Sequence, residues 1–433
     1  MPKDTELDTK KCIDDYDPFL WRTVENGMTN HEAKVNVIRC ALGVGSLAMP
    51  LAYYNAGYVN GLIGTVILGA ILIYAFHKLM NTMYALCKRH QVPILTYRQS
   101  IELALLEGPP FLIWFSRIAG ILVDTFQALF HFGICSVYVL YISNTVKQLL
   151  DLYLLEIELR LYMILMIVPL LLIFTIRDLK ELVPYSFSAN IMFFIGLAII
   201  FVPLCFDLPS LSERVAFQYL EQMPLFFGTI TYALESVGVY IAIESKMQSP
   251  KDFLGLFGVL NQGLFIAIAY YLILGFFGYW HYGDAVRGSI ALNIPDTFIN
   301  QIVKMIFAIS IYFSFALQGY VTVDVVWNQA LSQNLIEHWR IPLEYIFRII
   351  MVLSAVLICI IVPDFDFILP LVGASCVSFL GLIFPALIDL CLRYRDGYGN
   401  KNIHLFVDIV LIILGIFGGI AGTLACIVSM SCT

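Results

Sequence analysis

The feature that most constrains this chain is how seldom it leaves apolar sequence. Between residues 35 and 428, runs of mostly apolar side chains follow one another, each about twenty residues long, enough to cross a hydrocarbon core as a helix. That length divides the chain into about eleven candidate spans: 35–53, 60–86, 117–143, 161–176, 185–206, 224–243, 256–280, 303–326, 344–362, 367–391 and 404–428. With 60% of its 433 residues hydrophobic, 13% charged and a mean hydropathy of +0.83, a water-soluble domain would lack the interior to hide so much apolar surface. Lipid is therefore part of the solvent, and an all-α polytopic membrane protein is expected. The stretch Pro93–Trp114 is amphipathic and broken by Pro109 and Pro110, so it is expected to lie at the interface rather than to span.

The loops set an orientation. With the N-terminus in the cytoplasm, most lysines and arginines fall inside, and only Lys147, Arg160, Arg214, Arg287 and Lys304 fall outside. Residues 1–34 then form a cytoplasmic tail, 35–428 the membrane domain, and 429–433 a short tail outside or in a lumen. The acidic, polar N-terminal segment has no apolar core of a cleavable signal. Within it Tyr16-Asp17-Pro18-Phe19 fits a Y-x-x-Φ sorting pattern, which leaves plasma membrane and endolysosomal membrane both open. A net charge of -7 with scattered basic residues argues against nucleic acid as a partner. The 10 cysteines form no CxxC or Cys/His metal pattern, so neither metal nor cofactor is expected.

Two spans carry residues that do not belong in lipid. The first contains GVGSLAMPLAYYNAG (43–57), with Gly43, Gly45 and Ser46 near its middle. Glycine costs about 1 kcal/mol in a helix interior. Two readings stand side by side: a break whose half-helix amides receive a carboxylate, or close helix packing through small residues. The sixth span, PLFFGTITYALESVGVYIAIESKM, carries Gly228, Thr229, Thr231, Glu235, Ser236 and Gly238. A glutamate at the bilayer centre costs about 2.5–3.5 kcal/mol on insertion scales, so it faces a cavity or a partner. Glu235 is thus a candidate for transport or ion coupling, set against a carboxylate buried for structure. Interrupted helices at matching places in two halves are the sequence mark of a secondary transporter with inverted repeats.

Span three places Asp124, Gln127, His131 and Tyr138 near one helical face. His131 is either a proton carrier or a hydrogen-bonded packing histidine. Span eight carries Tyr312, Ser314, Gln318 and Tyr320, where Gln318 either contacts substrate or bonds a neighbouring helix. Arg39 snorkels or pairs with an acid, and Glu244, beside Lys246, suits an interfacial ion pair.

Several stretches together resemble the amino acid/auxin permease family, in particular its proton-coupled amino-acid transporter branch. They are GVGSLAMPLAYYNAG, FQALFHFGICSVYVLYISNTVKQLL, IRDLKELVPYSFSANI, MPLFFGTITYALESVGVYIAIESKMQSPKDF, HYGDAVRGSIALNIP, YFSFALQGYVTVDVV and VPDFDFILPLVGASCVSFLGLIFPALID, with DYDPF before the first span. The resemblance runs from about Asp15 to the last span. It implies eleven spans in a five-plus-five inverted repeat, with helices one and six broken, moving small neutral amino acids with protons. Carried over by position, Gly43, Val44, Gly45 and Ser46 would offer amides to the substrate carboxylate, and Thr231, Tyr232 and Glu235 would face the amino group. Tyr138 and Gln318 complete the expected substrate contacts, and Glu235 and His131 are the candidate proton sites. One departure bears on the proton: many members have a histidine one turn before the glycines, and NVIRCALGVG has Asn36 there, which cannot titrate. An amino-acid sensor without flux is the alternative in another class. No nucleophile–base pair or filter repeat points to an enzyme or a channel.

Overall fold

The computed structural model describes residues 16–22, 27–153, 156–177, 179–234, 236–331, 336–399 and 402–432. Among them the chain is helical, with a single extended bridge between Met28 and Met247. In chain order the helices are α1 (Asn30–Ala41), α2 (Met49–Ala56), α3 (Tyr58–His90), α4 (Tyr97–Glu107), α5 (Ser116–Leu150), α6 (Leu159–Leu165) and α7 (Ile167–Phe174). There follow α8 (Leu179–Leu204), α9 (Met223–Leu234), α10 (Val237–Ser245), α11 (Val259–Tyr282), α12 (Phe298–Val323), α13 (Glu337–Ile361), α14 (Phe365–Val372), α15 (Phe384–Leu392) and α16 (Ile403–Cys432). Wider π-helical turns at Asp324–Leu331 and Gly373–Ile383 extend α12 and join α14 to α15. Eight of the helical segments are long and apolar enough to cross a membrane, and Leu159–Phe174 and Ser188–Leu204 are shorter apolar helices. The protein is an integral, multi-pass membrane protein.

Local chemistry sets the ends. Helix α1 begins at Asn30, ahead of the apolar run, because Thr29 and Glu32 form a reciprocal capping box that supports a polar first turn. Thr96 and Gln99 do the same for α4, whose buried face (Tyr97, Ser100, Ile101, Ala104, Leu105) packs on α5 and α15. The corner between α2 and α3 turns on Gly57, with φ of 81°, a conformation L side chains resist.

With little hydrophobic drive between helices in lipid, association depends on close packing and polar pairs. Helix α11 receives α1 and α2 on three glycines: Gly263 faces Val37, Gly275 the Tyr53 ring and Gly278 the Pro50 ring. The α9 backbone meets the π-helical turn, where a side chain on Gly373 would strike Gly228 O and Tyr232. Two buried charge clusters join further helices. Lys78 of α3 donates to Asp389 of α15 (2.8 Å) and to Asp408 of α16, and Arg393 donates to the other Asp389 oxygen (2.7 Å). Arg177 and Arg348 share Glu344 at 2.7 and 2.9 Å, and Arg348 also donates to Phe174 O of α7 (2.8 Å).

The two ends of the bundle differ. At one, the chain around Val215 is sewn over the α2–α3 corner: Tyr58 and Val59 donate to Val215 O and Ala216 O (3.1 and 3.0 Å), and Gln218 donates to Ala56 O (3.0 Å). Arg214 closes the same seam by donating to Trp280 O (2.9 Å). At the other end the N-terminal segment straps across the helix ends. Phe19 stacks on Tyr84 with ring centroids 4.8 Å apart, and Lys251 donates to Asp17 (2.7 Å). Arg22 donates to Glu244 (2.7 Å) and Pro93 O (2.8 Å), which is the ion pair expected for Glu244 with its partner now identified. Lys251 beside Asp17 holds that carboxyl below the usual carboxylate range. A lowered native pKa adds stability above the unfolded value and loses it only as pH falls through the native one, below about pH 4, so this pair persists at mildly acidic pH.

Candidate functional site

The two broken helices cross at the middle of the bundle. Helix α1 ends at Ala41, and Gly43 is extended (φ −100°, ψ −156°) before one turn of helix, Val44–Leu47, leads into α2. Helix α9 ends at Leu234 and α10 starts at Val237 after a non-helical Ser236 (φ −162°, ψ 37°). Glu235 lies outside the described residues.

The glycines at the first break have different surroundings. A Cβ on Gly45 would sit 2.8 Å from Ala233 Cα and 3.1 Å from Tyr232 Cδ1, so this glycine is where the two breaks touch. A Cβ on Gly43 would meet nothing within 4 Å. Close packing therefore accounts for Gly45, while Gly43 faces open space.

That space belongs to a cavity of about 630 Å³. Its inner wall is Gly43 and Val44 at the first break, Gly238 just past the second, and Tyr138, His131 and Gln318 from α5 and α12. His131 donates from Nδ1 to Gln318 Oε1 (2.7 Å), fixing two of the polar groups on that wall. Further along stand Asn36 and Arg39 of α1, Asn190 of α8 and Ser314 of α12. The cavity then runs past Arg98 and Asp124, themselves paired at 2.7 Å, to Met28, Ile94 and Lys246 beneath the N-terminal strap. No residue of the opposite seam lines it, so among the described residues the cavity reaches one end of the bundle and not the other.

Of the site residues expected from sequence, the structure brings Gly43, Val44, His131, Tyr138 and Gln318 to one cavity wall. Gly45, Ser46, Thr231 and Tyr232 are buried behind it. Ser46 Oγ donates to Gly43 O (2.7 Å) and Thr231 Oγ1 to Phe227 O (2.8 Å), so both hydroxyls serve the backbone of their own break. The Tyr232 ring packs edge-on against Phe130 with centroids 6.0 Å apart. Asn190 and Arg98 are among the wall residues that sequence reading passed over. Asn190, a lone amide in the apolar run SANIMFFIGL, carried a usable signal, because polar groups at that depth turn away from lipid.

A bundle of apolar helices, two of them broken where they meet, and a cavity with polar side chains on its wall reaching one end are the architecture of a membrane transporter. A family model described as "Transmembrane amino acid transporter protein" matches residues 26–428, and the chain belongs to that amino acid transporter family. It is 31% identical over 429 residues, 99% of this chain and 90% of the relative, to "Proton-coupled amino acid transporter-like protein pathetic" of Drosophila melanogaster. It is 24% identical over 413 residues to "Probable amino acid transporter skat-1" of Caenorhabditis elegans, covering 91% of this chain and 88% of that one. Among solved structures it resembles a Na+-coupled sialic acid symporter, with a TM-score of 0.53, 14% identity and coverage of 98% and 93%. A manganese transporter of Eremococcus coleocola gives a TM-score of 0.50 at 14% identity, covering 95% and 90%. At that identity the structural likeness speaks to the fold alone. The family and the structural neighbours are transporters, not enzymes, and the comparisons give the sensor alternative no support.

Proposed function

We propose that the protein carries small neutral amino acids across its membrane by alternating access, coupled to protons, with the N-terminus in the cytoplasm. The observation that carries this reading is the one-sided cavity whose inner wall contains the first break and the edge of the second. Amides at the start of the Val44 half-helix would take the carboxylate, since the first N–H groups of a helix lack intrahelical acceptors and sit at its positive end. Glu235 at the second break would answer the amino group and carry the proton. Tyr138 and Gln318 would bound the side chain, which favours small residues.

Rocking of α1–α3 and α9–α11 against the rest would close the mouth under the strap and open a path at the opposite end of the bundle. Eleven spans in a five-plus-five inverted repeat belong to this reading, as does a C-terminus on the non-cytoplasmic side; the tail expected at 429–433 is, through Cys432, the last turn of α16. The orientation is supported by Arg22, Arg89, Arg98, Lys246 and Lys251 lying at the cavity-mouth end, with Arg214 at the other. A plasma or endolysosomal membrane suits a proton-driven carrier.

The test is uptake of a panel of labelled amino acids into proteoliposomes at about pH 5.5 and about pH 7.4, values that bracket the histidine range. Small neutral substrates are expected to be favoured, with faster uptake from the acid side. Glu235→Gln is expected to abolish that pH dependence, and a pH-dependent current that survives the change assigns the coupling to another residue.

A further inference from the structure

Between the two breaks a single phenol stands against two backbone carbonyls. Tyr271 of α11 is fully buried, and its Oη donates to Ala233 O (2.8 Å) and also contacts Ala41 O at hydrogen-bonding range. Ala41 is the last residue of α1, and Ala233 is next to last in α9. Both carbonyls therefore lie at helix C-terminal ends, where C=O groups lack intrahelical donors and carry the negative end of the helix dipole. Two such oxygens converging from two half-helices form a place that attracts a cation, and broken-helix carriers hold coupling cations at carbonyls of this kind. Here an O–H from a third helix fills it.

We propose that Tyr271 is a positioning residue of the transport cycle that takes the place of a coupling metal cation, tying the ends of both broken helices to α11 through its hydroxyl. The inference rests on the carrier reading above. A phenol has one proton to donate, and two carbonyls claim it. The hydroxyl can thus hold one half-helix while yielding the other, and unlike a metal ion it need not be bound and released in each cycle. Gly45 against Ala233 keeps the two breaks in contact, so both carbonyls stay within reach of one oxygen. Tyr240 is the internal contrast. It is equally buried, and its Oη donates to a carbonyl of the second break, Leu234 O (3.2 Å).

The experiment uses the full-length protein and the variants Tyr271→Phe and Tyr240→Phe, each of which keeps the ring and removes one oxygen. Amino-acid uptake into proteoliposomes is measured in NaCl and in choline chloride, and thermal melting is followed as Na+ is added to protein without substrate. Wild type is expected to behave alike in both salts. Tyr271→Phe is expected to lose about tenfold in uptake in choline, the worth of one lost hydrogen bond. Na+ should raise its melting temperature and restore part of its uptake, while Tyr240→Phe stays indifferent to Na+. Wild-type uptake that requires Na+ overturns the proposal, as does a Tyr271→Phe protein that matches wild type in choline or ignores Na+ as Tyr240→Phe does. If Tyr271→Phe does not fold, the wild-type arm decides alone: Na+-independent uptake supports the proposal and Na+-dependent uptake refutes it. Absence of wild-type uptake in every medium refutes the carrier reading instead, and the melting arm, which needs no substrate, still tests Tyr271.

Discussion

Gly45→Val is expected to abolish uptake, by about a hundredfold or more, because displacements near 1 Å in a positioned site cost that much. The added carbons have nowhere to go. The nearest obstacle, 2.8 Å from a Cβ on Gly45, is the Cα of Ala233, which is backbone and cannot rotate aside, with Ala233 Cβ at 2.9 Å. The variant must therefore push the first break away from the second, and with it the Val44 wall of the cavity and the carbonyls that Tyr271 bridges. The effect should fall on transport rather than on insertion, since the apolar spans are untouched. Surface biotinylation should show near-normal protein where labelled amino-acid uptake is lost, and wild-type uptake by this variant would remove the crossing of the breaks from the mechanism.

Lys78→Met is expected to be the most damaging change outside the cavity. Lys78 is the cation common to Asp389 and Asp408, both almost fully buried, so its loss leaves two carboxylates in a low-dielectric interior with, among the described residues, only Arg393 hydrogen-bonded to one of them. Breaking a buried ion pair from one side costs about 3–5 kcal/mol, most of it the penalty of the charge left behind. In detergent, melting of Lys78→Met followed by size-exclusion chromatography should show a clear loss of stability. The double variant Lys78→Met/Asp408→Asn should recover part of it by removing the stranded charge. Equal stability of wild type and the single variant would mean that water reaches the cluster and the charges are not buried in the working protein.

Much of the fold was legible because lipid leaves a chain few choices: apolar runs of spanning length must be helices, and a break among them must face protein or water. Gly43 and Glu235 marked the breaks for that reason. What separated Gly43 from Gly45 was not legible, because it depends on Ala233 being opposite one and nothing being opposite the other. Ser46, through its backbone amide, and Thr231 were placed at the substrate by position in the family resemblance; what their hydroxyls do was not legible, and they donate to Gly43 O and Phe227 O, carbonyls of their own segments. Tyr271 gave no signal among 24 tyrosines, since its acceptors lie 230 and 38 residues away. Separations of 222 and 330 residues likewise hid the pairing of Arg22 with Glu244 and of Lys78 with Asp408.

The most direct measurement is accumulation of a labelled small neutral amino acid in sealed proteoliposomes under an imposed pH gradient. The carrier account predicts saturable uptake that rises above the external concentration while the gradient lasts and collapses when a protonophore removes it. Stoichiometric binding to the protein with no accumulation inside, gradient or not, would contradict it.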